Sequence, residues 1–346
     1  MAIRAVLRFS ACLSLSLLLL CTCASGGSAR GEPDWVRDPY VKYDREENVA
    51  AVGMGSSREL AERSALGNLV AIFGQSIQVD ETVSNSYQEA VRNGVIANWS
   101  DNTTVDSVIA TSAGMDTLVG AEIRETWRDN RGENYAVAVL NKAKAIQLYS
   151  DMVMANHAMI GNLINIPSME INSFDGYSRY QFAATLADLS LSYGNLLSVM
   201  GVQVSGLRGG NEYRIEAQNI TKAIPVGIRV QNDKSGRIEG AFATVLSDVG
   251  FRSGGINSRY VLDVNVNASP VTITGNPYNW TRIEVNANLG DINSGAVLLP
   301  FNFNTREGHT SQGEADNRAY MAAEQIIKED YAVLLANYLS SMLPKK

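Results

Sequence analysis

Apolar and polar positions follow two rhythms along this chain, and the change from one to the other is sharpest within residues 49–73. Val49, Ala50, Ala51 and Val52 form a short apolar run ending in Gly53 and Gly55. That run predicts a buried strand and a tight turn built from residues without a Cβ. Ala61, Ala65, Leu66, Leu69, Val70 and Phe73 then recur at helical spacing. The small residues among them are expected where a helix lies close against a sheet. Ser56 followed three residues later by Glu59 fits a capping box, in which each side chain satisfies a backbone N–H left open by the first helical turn.

Period-two patterning returns loosely at Ile77, Val79 and Val83 and clearly at Val119, Ala121, Ile123, Glu125 and Trp127. Residues 135–140 are apolar on both faces, as in a central strand. Residues 93–116, rich in Asn, Ser, Thr, Asp and Gly, read as a long excursion, either loosely packed or a site of partner contact. A helical hairpin follows over residues 142–166 and 177–200, with the helix breakers in 167–176. Met152, Met154, Met159 and Met169 read as core filling, with a soft binding surface as the alternative.

From Leu207 onward the pattern predicts sheet again. Ile224, Val226, Ile228 and Val230 mark a strand, Ile238, Phe242, Val245, Leu246 and Val249 a helix, and Tyr260, Leu262, Val264 and Val266 a second strand, together a βαβ unit. Ile283, Val285, Ala287 and Leu289, then Val297, Leu299, Phe301 and Phe303, predict a hairpin with one wet face and its turn at 290–295. A last helix is expected over 314–339, with Ala319, Ala323, Ile326, Ile327, Leu334 and Tyr338 inward. Its start echoes the first helix: Ser57, Ala61, Ala65 and Phe73 correspond to Ser311, Ala315, Ala319 and Ile327 at one constant offset. A duplicated module and shared capping and packing rules both account for the echo.

The fold class is therefore α/β (α+β). The expected organisation is a signal peptide at 1–22, a flexible tether at 23–32 and a strand-helix-sheet domain at 33–141. A helical hairpin at 142–205 and a C-terminal α/β domain at 206–346, a βαβ unit plus hairpin closed by a long helix, complete it.

The leader fixes an address. Arg4 and Arg8 precede an apolar run at 13–20 that is far shorter than the roughly 20 residues of a membrane-spanning helix, as in a secretory signal peptide. The run ends L-C-T-C-A-S-G-G-S, with Leu20 three residues before Cys23, and resembles the lipobox of bacterial lipoproteins. The resemblance makes Cys23 the acylated first residue of the mature chain, with Cys21 as a second candidate and ordinary cleavage after Ala24 or Ala29 as the alternative. All three cysteines (Cys12, Cys21, Cys23) lie in this segment, so the body has neither a disulfide nor a thiolate metal site. A diacylated cysteine supplies the two chains that stable anchoring takes. The Gly/Ser-rich stretch at 24–31 lets the body stand about 15 Å from the membrane.

Without residues 1–22 the chain carries 27 basic against 36 acidic residues, a net charge of about −9. That argues against nucleic acid or an anionic lipid surface as partner. Candidate chemistry is sparse. Gly53-Met54-Gly55 before a helix falls short of a dinucleotide fingerprint because Arg58 stands where the third small residue belongs. His157 and His309 are far apart and have no acidic cluster at ligand spacing, so structural or surface roles are expected. Ser56 and Ser57 lack a nucleophile elbow and read as helix caps. The sequons Asn98-Trp99-Ser100 and Asn279-Trp280-Thr281 carry little weight behind a lipoprotein leader. No catalytic residue, cofactor or metal is expected.

Pro33-Asp34-Trp35-Val36, a spacer holding Tyr40 and Tyr43, the V-A-A-V-G-M-G-S-S strand and the E-L-A-E-R-S-A-L helix together resemble the bacterial twenty-kilodalton outer-membrane lipoprotein family. That family's fold is similar to the N-terminal domain of the flagellar assembly protein FlgT. The resemblance continues through L-V-G-A-E-I-R-E-T-W at 118–127, the turn 129–132, Y-A-V-A-V-L at 135–140 and the helix start at Lys142, covering about residues 33–150. It implies an outer-membrane protein facing the periplasm, with the inner membrane and the cell surface left open. The expected function is a non-enzymatic, membrane-anchored interaction or assembly factor with an envelope protein partner. The alternative is a small-molecule or glycan-binding lipoprotein using the hairpin around Trp280 and Phe301, and a third reading is a hydrolase assembled from distant residues.

Overall fold

The computed structural model describes residues 31–73 and 118–342. Cys23, the Ile77–Val79–Val83 pattern, the excursion at 93–116 and the Asn98 sequon lie outside the described residues. The described residues divide into two compact units, one holding 31–69 with Ala121–Leu140, the other holding 70–73, 118–120 and 141–342.

In the first unit, β1 (Asn48–Gly55) leads into α1 (Arg58–Phe73), and β2 (Ala121–Arg128) and β3 (Asn134–Asn141) complete a three-stranded sheet of order β1-β3-β2. As its two-sided apolar run predicts, β3 is central, and Ala136 to Leu140 are all buried. β2 and β3 form an antiparallel hairpin around the turn at 129–132. There the Asp129 carboxylate accepts from Arg131 and Glu133 N–H at 2.9 and 2.8 Å, and Gly132 takes a φ of +94°.

The helix contact differs from expectation in its cause. Gly53 and Gly55 lie inside β1, not in a turn beyond it. A Cβ on Gly53 would stand 2.0 Å from Ala65 N and 2.6 Å from Ala61 O, so the glycine is required because the helix backbone crosses directly over it. Ala61, Ala65 and Leu69 are fully buried, and Phe73 nearly so, a stripe at four-residue spacing. The cap is Ser57, not Ser56: Ser57 Oγ accepts from Leu60 N–H at 3.3 Å and donates to Glu59 at 3.2 Å, and its carbonyl accepts the first helical bond from Ala61 at 3.0 Å.

The second unit begins with the expected hairpin, α2 (Lys142–Ile164) and α3 (Phe174–Val199). Buried Asn156 and Ser190 link the two at 3.2 Å. Met152 and Met159 fill the core as expected, whereas Met154 and Met169 are exposed. The expectation of sheet from Leu207 is wrong at its start, where α4 (Gly210–Ala223) is a helix burying Ala217, Ile220 and Thr221. Those positions and Ile224 have helical spacing, but only the short inward stripe is apolar and the rest of the segment is polar. Asp188 holds α4 to α3 by accepting from Gly210 N–H at 2.8 Å and from Arg214.

Next come β4 (Pro225–Gln231), α5 (Arg237–Val249), a short β5 (Arg252–Gly254), β6 (Tyr260–Val271), β7 (Asn279–Asp291) and β8 (Ala296–His309). The sheet order is β5-β4-β6-β7-β8, parallel among the first three and antiparallel among the last three. The βαβ unit and the hairpin are thus one mixed sheet. The edge strand β5 was not anticipated, because three residues are too few to show a period.

One face of this sheet is closed by α5 and by a long terminal helix, α6 (Gln312–Ile326) continuing through a π-helical turn (Ile327–Tyr331) into α7 (Ala332–Ser341). Its inward stripe is Ala315, Ala319, Ala323, Ile327, Tyr331, Leu335 and Leu339, every fourth residue; Ile326, Leu334 and Tyr338 are only partly buried. A step of four overshoots an α-helical turn by about 40°, so such a stripe would wind off the sheet. The wider π turn halfway along brings it back. Tyr331 sits at that point, wholly buried and edge-on to Phe242 with centroids 4.9 Å apart. Ser311 starts α6 as Ser57 starts α1, with Ala315 N–H on its carbonyl at 3.1 Å. The echo ends with the helices: the two sheets differ in strand number and order, so common packing rules account for it.

Replacing Gly53 by alanine is expected to cost about 3 kcal/mol by overpacking a backbone crossing. Gly67→Ala, where nothing lies within 4 Å, should be neutral or stabilise by up to about 1 kcal/mol. Urea unfolding followed by Trp35 and Trp127 fluorescence separates the two, and equal midpoints would disprove the crossing.

Candidate functional site

Two polar constructions stand out, one in each unit. In the first, the segment before β1 folds as two single-turn 3-10 helices, Asp34–Val36 and Pro39–Val41. Trp35 inserts against Ala50, Val137 and Val139. Tyr40 Oη accepts from Ala50 N–H at 3.4 Å, and Tyr43 donates to Glu125 at 2.6 Å. Lys42 reaches the same carboxylate at 2.6 Å. Burial pushes the Glu125 carboxyl up, but hydrogen bonds from Lys42, Tyr43 and Trp35 outweigh it and hold the group below the usual carboxylate range. Burial and the neighbouring Glu125 push the Tyr43 phenol up. The residues shared by the Pro-Asp-Trp-Val motif and the two tyrosines are therefore a lid pinned onto one sheet face. Glu125 was visible in sequence on the inner parity of its strand; its partners were not.

In the second unit, the sheet face opposite α5 and α6 is lined by amides. Asn-x-Asn recurs on three consecutive strands, at 265–267, 286–288 and 302–304. The register sets Gln231, Asn265, Asn286 and Asn302 side by side across four strands, all exposed. Adjacent rows carry Asn267, Glu284 and Asn304, and Asp263 and Asn288. Strand geometry spaces these groups about 4.8 Å across and about 7 Å along the strands. Charges on this face are largely cancelled, Arg229 pairing with Asp263 and Arg282 with Glu284 at 2.9 Å, leaving Arg306 opposite Arg282.

At one end of the face lies Trp280, on the same strand parity as these amides and directly opposite Gly308. Three atoms of its indole would be 2.8, 2.8 and 2.9 Å from a Cβ on Gly308, so the ring lies over that glycine. The residue is half-buried, and its Nε1 is buried with no hydrogen-bond partner among the described residues. Phe301 does not join it: it points to the opposite face and packs on Phe242 and Tyr331, with centroids 6.3 and 5.3 Å away. The pairing of Trp280 with Phe301 in one contact face is therefore corrected by strand alternation. The wet face was legible in sequence, and the three Asn-x-Asn repeats were the unread signal, since asparagine is disfavoured in strands.

The remaining candidates are structural. Gly53-Met54-Gly55 is strand, covered by α1. At the turn after β4, the Asp233 carboxylate accepts from Gly236, Ile238 and Glu239 N–H at 3.0, 2.9 and 3.0 Å, occupying the start of α5 with the chain's own anion. His157 is exposed on α2, and His309 Nδ1 accepts from Ser311 N–H at 3.3 Å beside the start of α6. Thr281, in the Asn279 sequon, is buried and donates to Asp316. Among the described residues, no group of three His, Cys, Asp or Glu side chains is placed to hold a metal ion, and no helix is long and apolar enough to cross a membrane.

Residues 33–141 match the model of the LPP20 lipoprotein family, which supports a lipoprotein of the bacterial cell envelope. No protein of curated description matches the chain. Among solved structures, a secreted protein from the human pathogen Helicobacter pylori is similar over 81% of this chain and 97% of its own, at 16% identity and a TM-score of 0.40. A minor lipoprotein from Acinetobacter baumannii is similar over 35% of this chain and 94% of its own, at 17% identity and a TM-score of 0.25. Neither likeness is close enough to transfer a property.

Because the Glu125 carboxyl is held below its ordinary value of 4.5, its contribution to stability is present above that pH and is lost as pH falls through the folded-state value. Glu125→Gln should therefore lower the apparent melting midpoint at pH 7, with the deficit shrinking as pH falls below 4.5. A deficit independent of pH would contradict the ion-paired lid.

Proposed function

We propose that this chain is a non-enzymatic lipoprotein, acylated at Cys23 and anchored in the outer membrane facing the periplasm, that serves as an interaction or assembly factor for an envelope protein partner. The observation that supports this most is the LPP20 match at residues 33–141, beginning ten residues beyond Cys23 of the lipobox-like leader. Two acyl chains carried by that cysteine through a single bond to its sulfur give a stable anchor, at about 0.8 kcal/mol per buried methylene. The short Gly/Ser tether then keeps the body within reach of neighbours at the same membrane.

Replacing Cys23 by serine tests the anchor. The variant is expected in the soluble periplasmic fraction, while the parent protein stays with outer-membrane vesicles on a sucrose gradient. A Cys23→Ser product that still floats with outer membranes would overturn the anchor. Cross-linking of the anchored protein in intact cells should retrieve one envelope protein reproducibly; retrieval of none would overturn the assembly role.

A further inference from the structure

We propose that the amide-lined face of the five-stranded sheet binds an uncharged glycan chain, with Trp280 stacking on a sugar ring and the asparagine rows hydrogen-bonding the hydroxyl and amide groups along it. This goes beyond the anchored-factor reading and does not depend on acylation of Cys23.

The composition of the face is the first argument. Asparagine is depleted in strands because its side chain competes for backbone hydrogen bonds. Here three successive strands each carry two of them on the side away from the core, and Gln231 extends the central row onto β4. Solvation alone would be met by Thr, Lys or Glu, which fit or tolerate an exposed strand face as well or better. An amide offers two donors and an acceptor on one short side chain, so the rows form a grid that both gives and takes hydrogen bonds.

Charge is the second argument. With Arg229 paired to Asp263 and Arg282 to Glu284, the face has almost no field of its own, and the mature chain is acidic. Among the described residues of this face, a polyanion would meet Arg306 alone as uncompensated attraction, far short of the clustered cations that such partners need. The complement of a neutral grid of donors and acceptors is a neutral chain of donors and acceptors.

Shape decides between a peptide and a sugar. Peptides laid on sheets are read through pockets for alternate side chains or through a free strand edge. On this face the apolar groups are Pro300 in the middle, Val271 directly opposite Trp280 at one end and buried Val261 at the other, with the amide rows between them. Trp280 is the group a peptide face does not need and a glycan face does. Its ring reaches across to the neighbouring strand and lies over Gly308, where any side chain would displace it. A sugar presents C–H groups on its ring faces and polar groups at its rim, matching an aromatic plane bordered by amides.

The test is calorimetric titration of the mature lipidated chain, held in a sugar-free zwitterionic detergent, with chitohexaose and with cellohexaose. Saturable binding of at least one is expected, unchanged within two-fold between 50 and 500 mM salt. Trp280→Ala should weaken it at least ten-fold. The double substitution Asn286→Ala, Asn302→Ala, at exposed positions that leave the fold intact, should weaken it at least five-fold. Met321→Ala on the exposed side of α6 should leave it unchanged. Absence of saturable binding to both oligosaccharides, binding indifferent to the asparagine pair, or displacement by a heparin hexasaccharide at low salt would each overturn the proposal. Cys23→Ser should leave the affinity as it is, so failure of the anchor and failure of this site are separable.

Discussion

A helix can approach a sheet closely only where neither backbone carries bulk at the crossing, and both units of this protein are built on that condition. In the first, Gly53 lies beneath Ala61 and Ala65 with no room for a methyl group. In the second, Ala315, Ala319 and Ala323 bring the terminal helix down onto β7 and β8, and a π turn keeps the stripe aimed at the sheet as it lengthens into Ile327, Tyr331, Leu335 and Leu339. The larger apolar side chains gather around these contacts, with Phe242 edge to face against both Tyr331 and Phe301 where the π turn lies.

Concentrating the apolar cover on one side has a consequence for the other. With α5 and the terminal helix on one face of the second sheet, the amide rows of the opposite face are exposed, while Val261 on that face is buried. The first unit uses both faces, α1 on one and the Trp35 lid on the other. Its polar chemistry is therefore inward, tied up in the Tyr43–Glu125–Lys42 cluster. The second unit keeps its polar chemistry outward, in rows of amides. The same layered architecture thus turns the polar chemistry of one unit inward and that of the other outward.

How much of this is legible in the sequence follows from the range of each interaction. The strand-to-helix stretch, the central β3, the helical hairpin and the βαβ unit are written in local periodicity, and so were predicted with nearly correct bounds. α4 was missed because its outward side is polar and its apolar stripe is one residue wide. The reason for Gly53 was misread because a close approach and a tight turn both call for glycine, and only the crossing helix distinguishes them. Cross-strand partners are not local at all: nothing in the neighbourhood of Glu125 announces Tyr43 and Lys42, and nothing near Trp280 announces Gly308. The Asn-x-Asn repeats were visible, but their alignment into one row depends on a register that only the folded sheet supplies.

Native-state hydrogen exchange of the second unit tests most directly whether the terminal helix is the cover on which that sheet depends. Amides of Ala319 to Leu335 should exchange only with global unfolding, at the same free energy as the core amides of β6 and β7. Exchange of that helix through local opening, while β6 and β7 remain protected, would contradict the account.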